Sequence, residues 1–443
     1  MILSLLTLEN GIKMKTKNGI KLYKYAKTII PGGTTLFSKR SELYLPDKWP
    51  AYFTKAKKID IWDLKGEKYL DMFCAVGTSI LGYSNHYVNN SVQSNIRNAN
   101  MTTLNCPEEV YLSKELVKHH PWASMVKFTR AGGEANALAI RIARSNTKKK
   151  NIAFCGYHGW HDWYLSANIN SKNNLDQHLM SGLNFDGIPE NLKNTSFPFP
   201  YNNFEYLLKL INTKNIGIIK MEVMRNFKPE NEFLKKIRNL CNKKKIILIF
   251  DECTSGYREN MGGLHLKFGV NPDIAIFGKA LGSGFAINAI IGKRKIMKKA
   301  ENSFISSTFW GERIGYTAAI SSIKEFKRLN IFKKILANGK MIKKIWEFTS
   351  KKYNIPIKIM GIDAIPSFEF CNHHLKRKTF LTQEMLKSKI LATNIVYVTI
   401  FHRKNNIKKY IKILDKVFHD ISTKNIKDIL KSKTCFKPIN RVN

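Results

Sequence analysis

Two apolar stretches of this sequence end in groups able to act together. Ile246–Phe250 runs into Asp251-Glu252, and Ile274–Phe277 runs into Gly278-Lys279. Read as buried strands, they put a carboxylate and a primary amine just beyond two strand ends, where functional groups collect in parallel α/β sheets. An amine there can form an imine with an aldehyde. An acid beside it can keep a pyridine nitrogen protonated, so that the ring draws electrons away from a reacting carbon. Pyridoxal 5′-phosphate (PLP) chemistry needs both. Singly, Asp251 is an ordinary strand cap and Lys279 an ordinary surface lysine. The joint placement points to the cofactor, and Gly278, Gly282 and Gly284 leave room beside Lys279 for a flat group.

A second group is Arg130-Ala131-Gly132-Gly133-Glu134-Ala135-Asn136, where glycines lead from a strand into a helix. Backbone N–H groups at a helix N-terminus favour a phosphate, and glycine lets that backbone come close. A Gly-Gly turn alone is equally a turn with no ligand. The third group is Cys155-Gly156-Tyr157-His158-Gly159-Trp160-His161-Asp162-Trp163. Cys155, His158 and His161 have a spacing that raises the question of zinc. No second Cys/His pair stands at finger-like spacing, so no metal is expected. Aromatic rings at a strand rim suit a stacking wall for a planar heterocycle, with Tyr157 foremost; Trp160 and Trp163 serve equally as core or interface. Cys371-Asn372-His373-His374 reads as an exposed loop.

These groups must be carried by a sheet. Met125–Phe128, Ile152–Cys155, Ile216–Met221, Ile246–Phe250 and Ile274–Phe277 are short, apolar and followed by polar or glycine-containing turns, which predicts a mainly parallel sheet covered by helices. Ala135, Leu138, Ala139, Ile142 and Ala143 follow helical periodicity between the first two. Beyond about residue 330, amphipathic stretches at Phe332–Ser350 and Ile407–Ile421 and strand-like pieces at Ile357–Met360 and Ile395–Ile400 predict a smaller α+β domain. The segment up to about Leu64 is expected to pack with it. The expected division is an extra segment at 1–13, an N-terminal part of the small domain at 14–64, the large domain at 65–325 and a C-terminal small domain at 326–443.

At 443 residues and 44% hydrophobic, the chain can bury a large core, so a folded protein and not a disordered one is expected. The formal net charge of +41 would suit a polyanion partner, but the lysines lie throughout the chain in solvated runs such as Lys148–Lys150 and Lys243–Lys245. They read as surface filling, not as a nucleic-acid face. Seven scattered cysteines without a CxxC pair fit a reducing cytoplasm. No basic residue precedes the short apolar opening and no cleavage site follows, so no signal peptide is expected, and Met14 is an alternative start. No stretch has the length of about 18 apolar residues that a membrane span needs.

In order along the chain, Trp62-Asp63-Leu64-Lys65-Gly66-Glu67-Lys68-Tyr69-Leu70-Asp71, Gly132–Asn136, Tyr157-His158-Gly159, Phe250-Asp251-Glu252, Gly256-Tyr257-Arg258 and Phe277-Gly278-Lys279-Ala280-Leu281-Gly282 resemble the class III aminotransferases of PLP fold type I. The likeness is nearest to the glutamate-1-semialdehyde 2,1-aminomutase branch and spans about Tyr23 to Phe418. It implies a large domain with a seven-stranded type of sheet and a small domain built from both termini. Carried over by position, it makes Lys279 the Schiff-base lysine and proton shuttle and Asp251 the partner of the ring nitrogen. Gly132 and Gly133 become phosphate ligands, Tyr157 the stacking ring and Glu222 an acid near the cofactor. Thr308 becomes the residue that reaches the phosphate of the neighbouring subunit, which implies a homodimer with shared sites.

The chain departs from that pattern where substrate would be chosen. Ala131-Gly132-Gly133 replaces Ser-Gly-Thr, and Ala75-Val76-Gly77 stands where many relatives carry Trp-Gly. Trp160–Trp163 and Ser307–Trp310 look instead like a subgroup associated with surface-polysaccharide and sugar-modifying gene sets. The expectation is amino-group transfer between a small-molecule donor and a carbonyl acceptor, or within one substrate as an aminomutase does, with a sugar-related substrate. The alternatives are a PLP decarboxylase or racemase, and a non-catalytic or polyanion-binding protein on the same fold.

Overall fold

The strands at the centre of the molecule are apolar on both faces, as a sheet covered by helices on each side demands. Ile216–Glu222, Ile247–Glu252 and Ile274–Phe277 are buried along their whole length. The computed structural model describes residues 18–170, 175 and 186–436; the segment 1–13 and Met14 lie outside them. In the seven-stranded sheet the order is Met125–Thr129, Asn288–Gly292, Ile274–Phe277, Ile247–Glu252, Ile216–Glu222, Asn151–Cys155 and Ser196–Pro198. Neighbours from Ile274–Phe277 to Ser196–Pro198 pair in parallel, while Asn288–Gly292 is antiparallel to both strands beside it.

All five expected strands are present. Two more were not anticipated: Ser196–Pro198 is a three-residue edge strand, and Asn288–Gly292 inserts between two of the expected strands, antiparallel to both. The expected helix forms as Gly132–Ser145 and packs Leu138, Ala139 and Ile142 against Ile152, Ile218, Ile249 and Ile276 on one sheet face. Glu108–His119 and Arg313–Leu329 lie in the larger core on the other side, with Leu112, Leu116, Tyr316, Ile323 and Phe326 buried.

A four-stranded sheet joins distant parts of the chain. Phe53–Lys57, Asp60–Asp63 and Lys68–Asp71 form an antiparallel meander, and Ile390–Leu391 adds to its edge in parallel with Lys68–Asp71. Around it lie Ile331–Lys352, His374–Lys387 and Lys408–Thr423, with the hairpin of Ile357–Met360 and Ser367–Phe370. The Ile395–Ile400 strand does not form; only Ile395 makes a bridge, to Ser367. The N–H groups of Val396 and Val398 bond to Pro366 and Ala364, whereas that of Tyr397 turns to Met72. The segment is apolar because Val396, Val398 and Ile400 are buried, and its hydrogen bonds are split between two partners, so no regular ladder results.

Candidate active site

Asp251 and Glu252 end one strand and face opposite ways, as successive residues of a strand must. Glu252 is used by the fold. Its carboxylate accepts from Ser255, from the N–H groups of Leu264 and His265, and lies 2.6 Å from His265 Nδ1. Asp251 faces the rim. Its Oδ1 accepts the Cys253 N–H at 3.1 Å, its Oδ2 lies 2.9 Å from His158 Nδ1, and Lys220 Nζ stands 3.9 Å from that same oxygen. Burial alone would raise the Asp251 pKa, but Lys220, His158 and the Cys253 N–H together outweigh it and hold the carboxyl well below the usual range. The site therefore keeps a buried carboxylate ionised. His158 Nε2 donates to the Cys155 carbonyl at 3.1 Å, which turns Nδ1 towards Asp251.

Lys279 begins three residues after Ile276, which is the register partner of Asp251 on the adjacent strand. It adopts φ +42°, a left-handed conformation that is costly for a residue with a side chain and characteristic of functional turns. Its Nζ donates to Thr254 Oγ1 at 2.6 Å. The Thr254 carbonyl accepts from Arg258 Nε, and Arg258 Nη2 donates to the Gly77 carbonyl. One buried guanidinium thus ties the lysine's partner to the Ala75–Gly77 turn. Ala75 and Val76 have φ +52° and +56°. Immediately before the lysine, a Cβ on Gly278 would lie 2.1 Å from Asn288 Oδ1, so only glycine allows the two strands this approach.

Gly132 and Gly133 open the Gly132–Ser145 helix, where first-turn N–H groups have no intrahelical acceptor. Glu134 accepts the N–H groups of Arg130 and Ala131 at 3.0 Å each, which sets the chain's entry into the helix. A Cβ on Gly133 would lie 2.9 Å from the His161 ring, so this backbone has no room for a side chain. Tyr157 is half-buried, and its N–H donates to Glu222 Oε2 at 3.2 Å. Glu222 is buried and is the register partner of Asp251. Thr308 is exposed in the short turn Thr308–Gly311, which Arg130 clasps by donating to the carbonyls of Phe309, Trp310 and Glu312.

Asp251, Lys279, Glu222 and Tyr157 therefore share one rim of the sheet, with Gly132 and Gly133 at the neighbouring helix start. Sequence reading missed His158, Lys220 and Thr254 as part of this group. A signal existed for Lys220, a lone cation inside an otherwise apolar strand; Thr254 carried none. Cys155, His158 and His161 diverge: the first is buried in the core, the second turns to Asp251, and the third stacks on Trp160 with centroids 4.6 Å apart. Trp163 is core, whereas Trp160 is exposed. The residues fit PLP: a lysine amine held by a hydroxyl near a buried ionised acid, and a side-chain-free backbone at a helix start for a phosphate.

The architecture is that of PLP fold type I. The chain superposes on the PLP internal aldimine form of the Sphingopyxis sp. MTA144 FumI protein with a TM-score of 0.83 at 20% identity, covering 94% of this chain and 100% of that one. It superposes on a glutamate-1-semialdehyde-aminomutase from Pseudomonas aeruginosa PAO1 with a TM-score of 0.78 at 14% identity, covering 91% and 94%. Residues 46–417 match the family Aminotransferase class-III, and the chain belongs to that family. It is 31% identical over 368 residues to a 3-aminobutyryl-CoA aminotransferase of Cloacimonas acidaminovorans, covering 81% of this chain and 84% of the relative. It is 30% identical over 441 residues to a glutamate-1-semialdehyde 2,1-aminomutase of Wigglesworthia glossinidia brevipalpis, covering 92% and 99%. The protein is a PLP-dependent enzyme of amino-group transfer. Among the described residues, no helix is long and apolar enough to cross a membrane.

Proposed function

We propose that Lys279 holds PLP covalently and moves the proton, that Asp251 holds the ring nitrogen, and that the enzyme transfers an amino group to or within a sugar-related carbonyl compound. The observation that carries the assignment is the placement of Asp251 and Lys279 beyond two adjacent parallel strands, one ionised and buried, the other reaching Thr254. Bound PLP supplies an aldehyde to receive the amino group and a ring to take up electron density. The protein does the rest. Asp251 stays negative at any working pH and so favours a proton on the ring nitrogen it meets. Gly132 and Gly133 offer N–H donors to the phosphate, Tyr157 covers one ring face, and Glu222 holds the Tyr157 backbone. Lys279 Nζ would take the proton from the substrate carbon and return it, as a general base and then acid.

The small side chains of Ala75 and Val76 leave space on the wall tied to Lys279 through Arg258, which supports a bulkier, hydroxylated substrate. Thr308, exposed in its short turn, supports a homodimer in which it serves the partner's phosphate. A cytoplasmic location and the division at 14–64, 65–325 and 326–443 belong to the same reading. The test is near-visible absorbance with PLP, followed by product analysis. Wild type should show the band of lysine-bound cofactor, Lys279→Ala should lose it together with turnover, and a keto-sugar with glutamate should yield an amino-sugar. A Lys279→Ala enzyme with normal turnover refutes the lysine assignment. Turnover of glutamate-1-semialdehyde alone refutes the sugar substrate.

A further inference from the structure

Lys220 lies in the middle of the Ile216–Glu222 strand and is fully buried. Its Nζ has no hydrogen-bond partner among the described residues. A buried ammonium without hydrogen bonds is strongly unfavourable unless an opposite charge offsets it. The charge nearest to it is Asp251, with Oδ2 3.9 Å away, and the Trp163 ring centroid lies 6.0 Å from Nζ. Alternation along the strand puts Lys220 and Glu222 on the same face, and Glu222 is paired in register with Asp251. His158 completes the group from the loop after Asn151–Cys155, and Cys253 faces it from beyond Asp251.

Asp251 is the centre of this cluster. Lys220 stands 3.9 Å from its Oδ2, His158 Nδ1 lies 2.9 Å from the same oxygen, and Glu222 is its register partner on the next strand. Burial pulls the Lys220 amine below its ordinary range, and Asp251, Cys253 and Glu222 oppose that. Removing Lys220 leaves the buried acids one positive charge poorer, which raises the proton affinity of any group seated on Asp251.

We propose that Lys220 is a positioning residue for the cofactor: its buried ammonium offsets one of the two acids behind the ring and so fixes the electrostatic potential under which the ring nitrogen and the Lys279 nitrogen titrate. The inference rests on the assignment of Asp251 and Lys279 to PLP. Asp251 is the shared contact. Lys220 reaches the cofactor only through it, on the side facing the sheet interior, and touches no substrate.

The test uses the PLP-loaded enzyme and needs no turnover. The pH dependence of the near-visible absorbance gives the apparent pKa of the lysine-bound cofactor, and 15N-labelled PLP reports protonation at the ring nitrogen. Lys220→Met removes a buried positive charge, so the apparent pKa should rise by about one unit, the size expected for a unit charge about 10 Å away in a protein interior. Lys220→Arg keeps the charge and should titrate close to wild type. A Lys220→Met curve and ring-nitrogen shift superimposable on wild type would overturn the proposal. If Lys220→Met does not fold, Lys220→Gln carries the same measurement. Failure of both neutral variants to fold would also overturn it, by making the residue purely structural. A wild-type protein that shows no cofactor band would instead overturn the reading of Asp251 and Lys279 on which this one rests.

Discussion

His158 Nδ1 and Asp251 Oδ2 lie 2.9 Å apart with both side chains buried, and Lys220 stands behind them at 3.9 Å from the same oxygen. Asp251 is thus the shared counter-charge of two basic groups. Asp251→Ala should therefore fail twice. Turnover should fall by about 100-fold or more, the scale of losing a group that sets protonation at the reacting ring. Stability should fall by about 3–5 kcal/mol, because Lys220 is left buried and uncompensated. Thermal unfolding and steady-state rates on the same preparation check both.

Thr254 Oγ1 accepts from the Lys279 ammonium at 2.6 Å. Thr254→Val keeps the shape and removes the hydroxyl. Turnover should fall by about tenfold with the near-visible band retained, and stability should change by no more than about 1.5 kcal/mol, the net worth of one hydrogen bond. Loss of the band would show that Thr254 is needed for cofactor attachment itself.

Gly278 leaves no room for a methyl group, since its Cβ would lie 2.1 Å from Asn288 Oδ1, and Asn288 is held by donating to the Arg130 carbonyl at 2.9 Å. Gly278→Ala should cost about 1–3 kcal/mol through overpacking and displace Lys279. The double variant Gly278→Ala, Asn288→Ala should recover part of that loss, a coupling that a thermal-unfolding cycle measures.

Asp71 behaves oppositely to Asp251. Burial pushes its carboxyl up to about 6, against the Tyr83 hydroxyl and the N–H groups of Phe73 and Cys74. A carboxyl raised above its unfolded value contributes stability below the ordinary carboxyl range, and that contribution is lost as pH rises through about 6. Relative to Asp71→Asn, which does not titrate, wild type should lose roughly 3 kcal/mol between about pH 4 and pH 7. Parallel pH curves for the two proteins would contradict the assignment.

Much of this site was legible before any fold was known, because strands buried on both faces are recognisable as short apolar runs and the groups that follow them lie on one rim. Asp251, Lys279 and Tyr157 could be gathered that way and Gly132-Gly133 from the strand-to-helix turn, whereas Glu222 came only from the family resemblance. The same logic misled at Ile395–Ile400, where apolar residues record burial but hydrogen bonds go to Pro366, Met72 and Ala364 in turn. Apolarity reports what leaves water; it does not report which partner closes a ladder.

By itself, then, the sequence determined the mainly parallel sheet, the helix that begins at Gly132 and the acid and amine at adjacent strand ends, since each follows from local periodicity and turn chemistry. Only the tertiary structure decided that Asp251 faces the site while Glu252 serves the fold, that Thr254 receives Lys279, and that His158 and Lys220 stand behind the carboxylate. Lys220 lies 31 positions from Asp251 in the chain and His158 lies 93. The partner of a buried polar group is chosen by packing in three dimensions, and local sequence carries no trace of it.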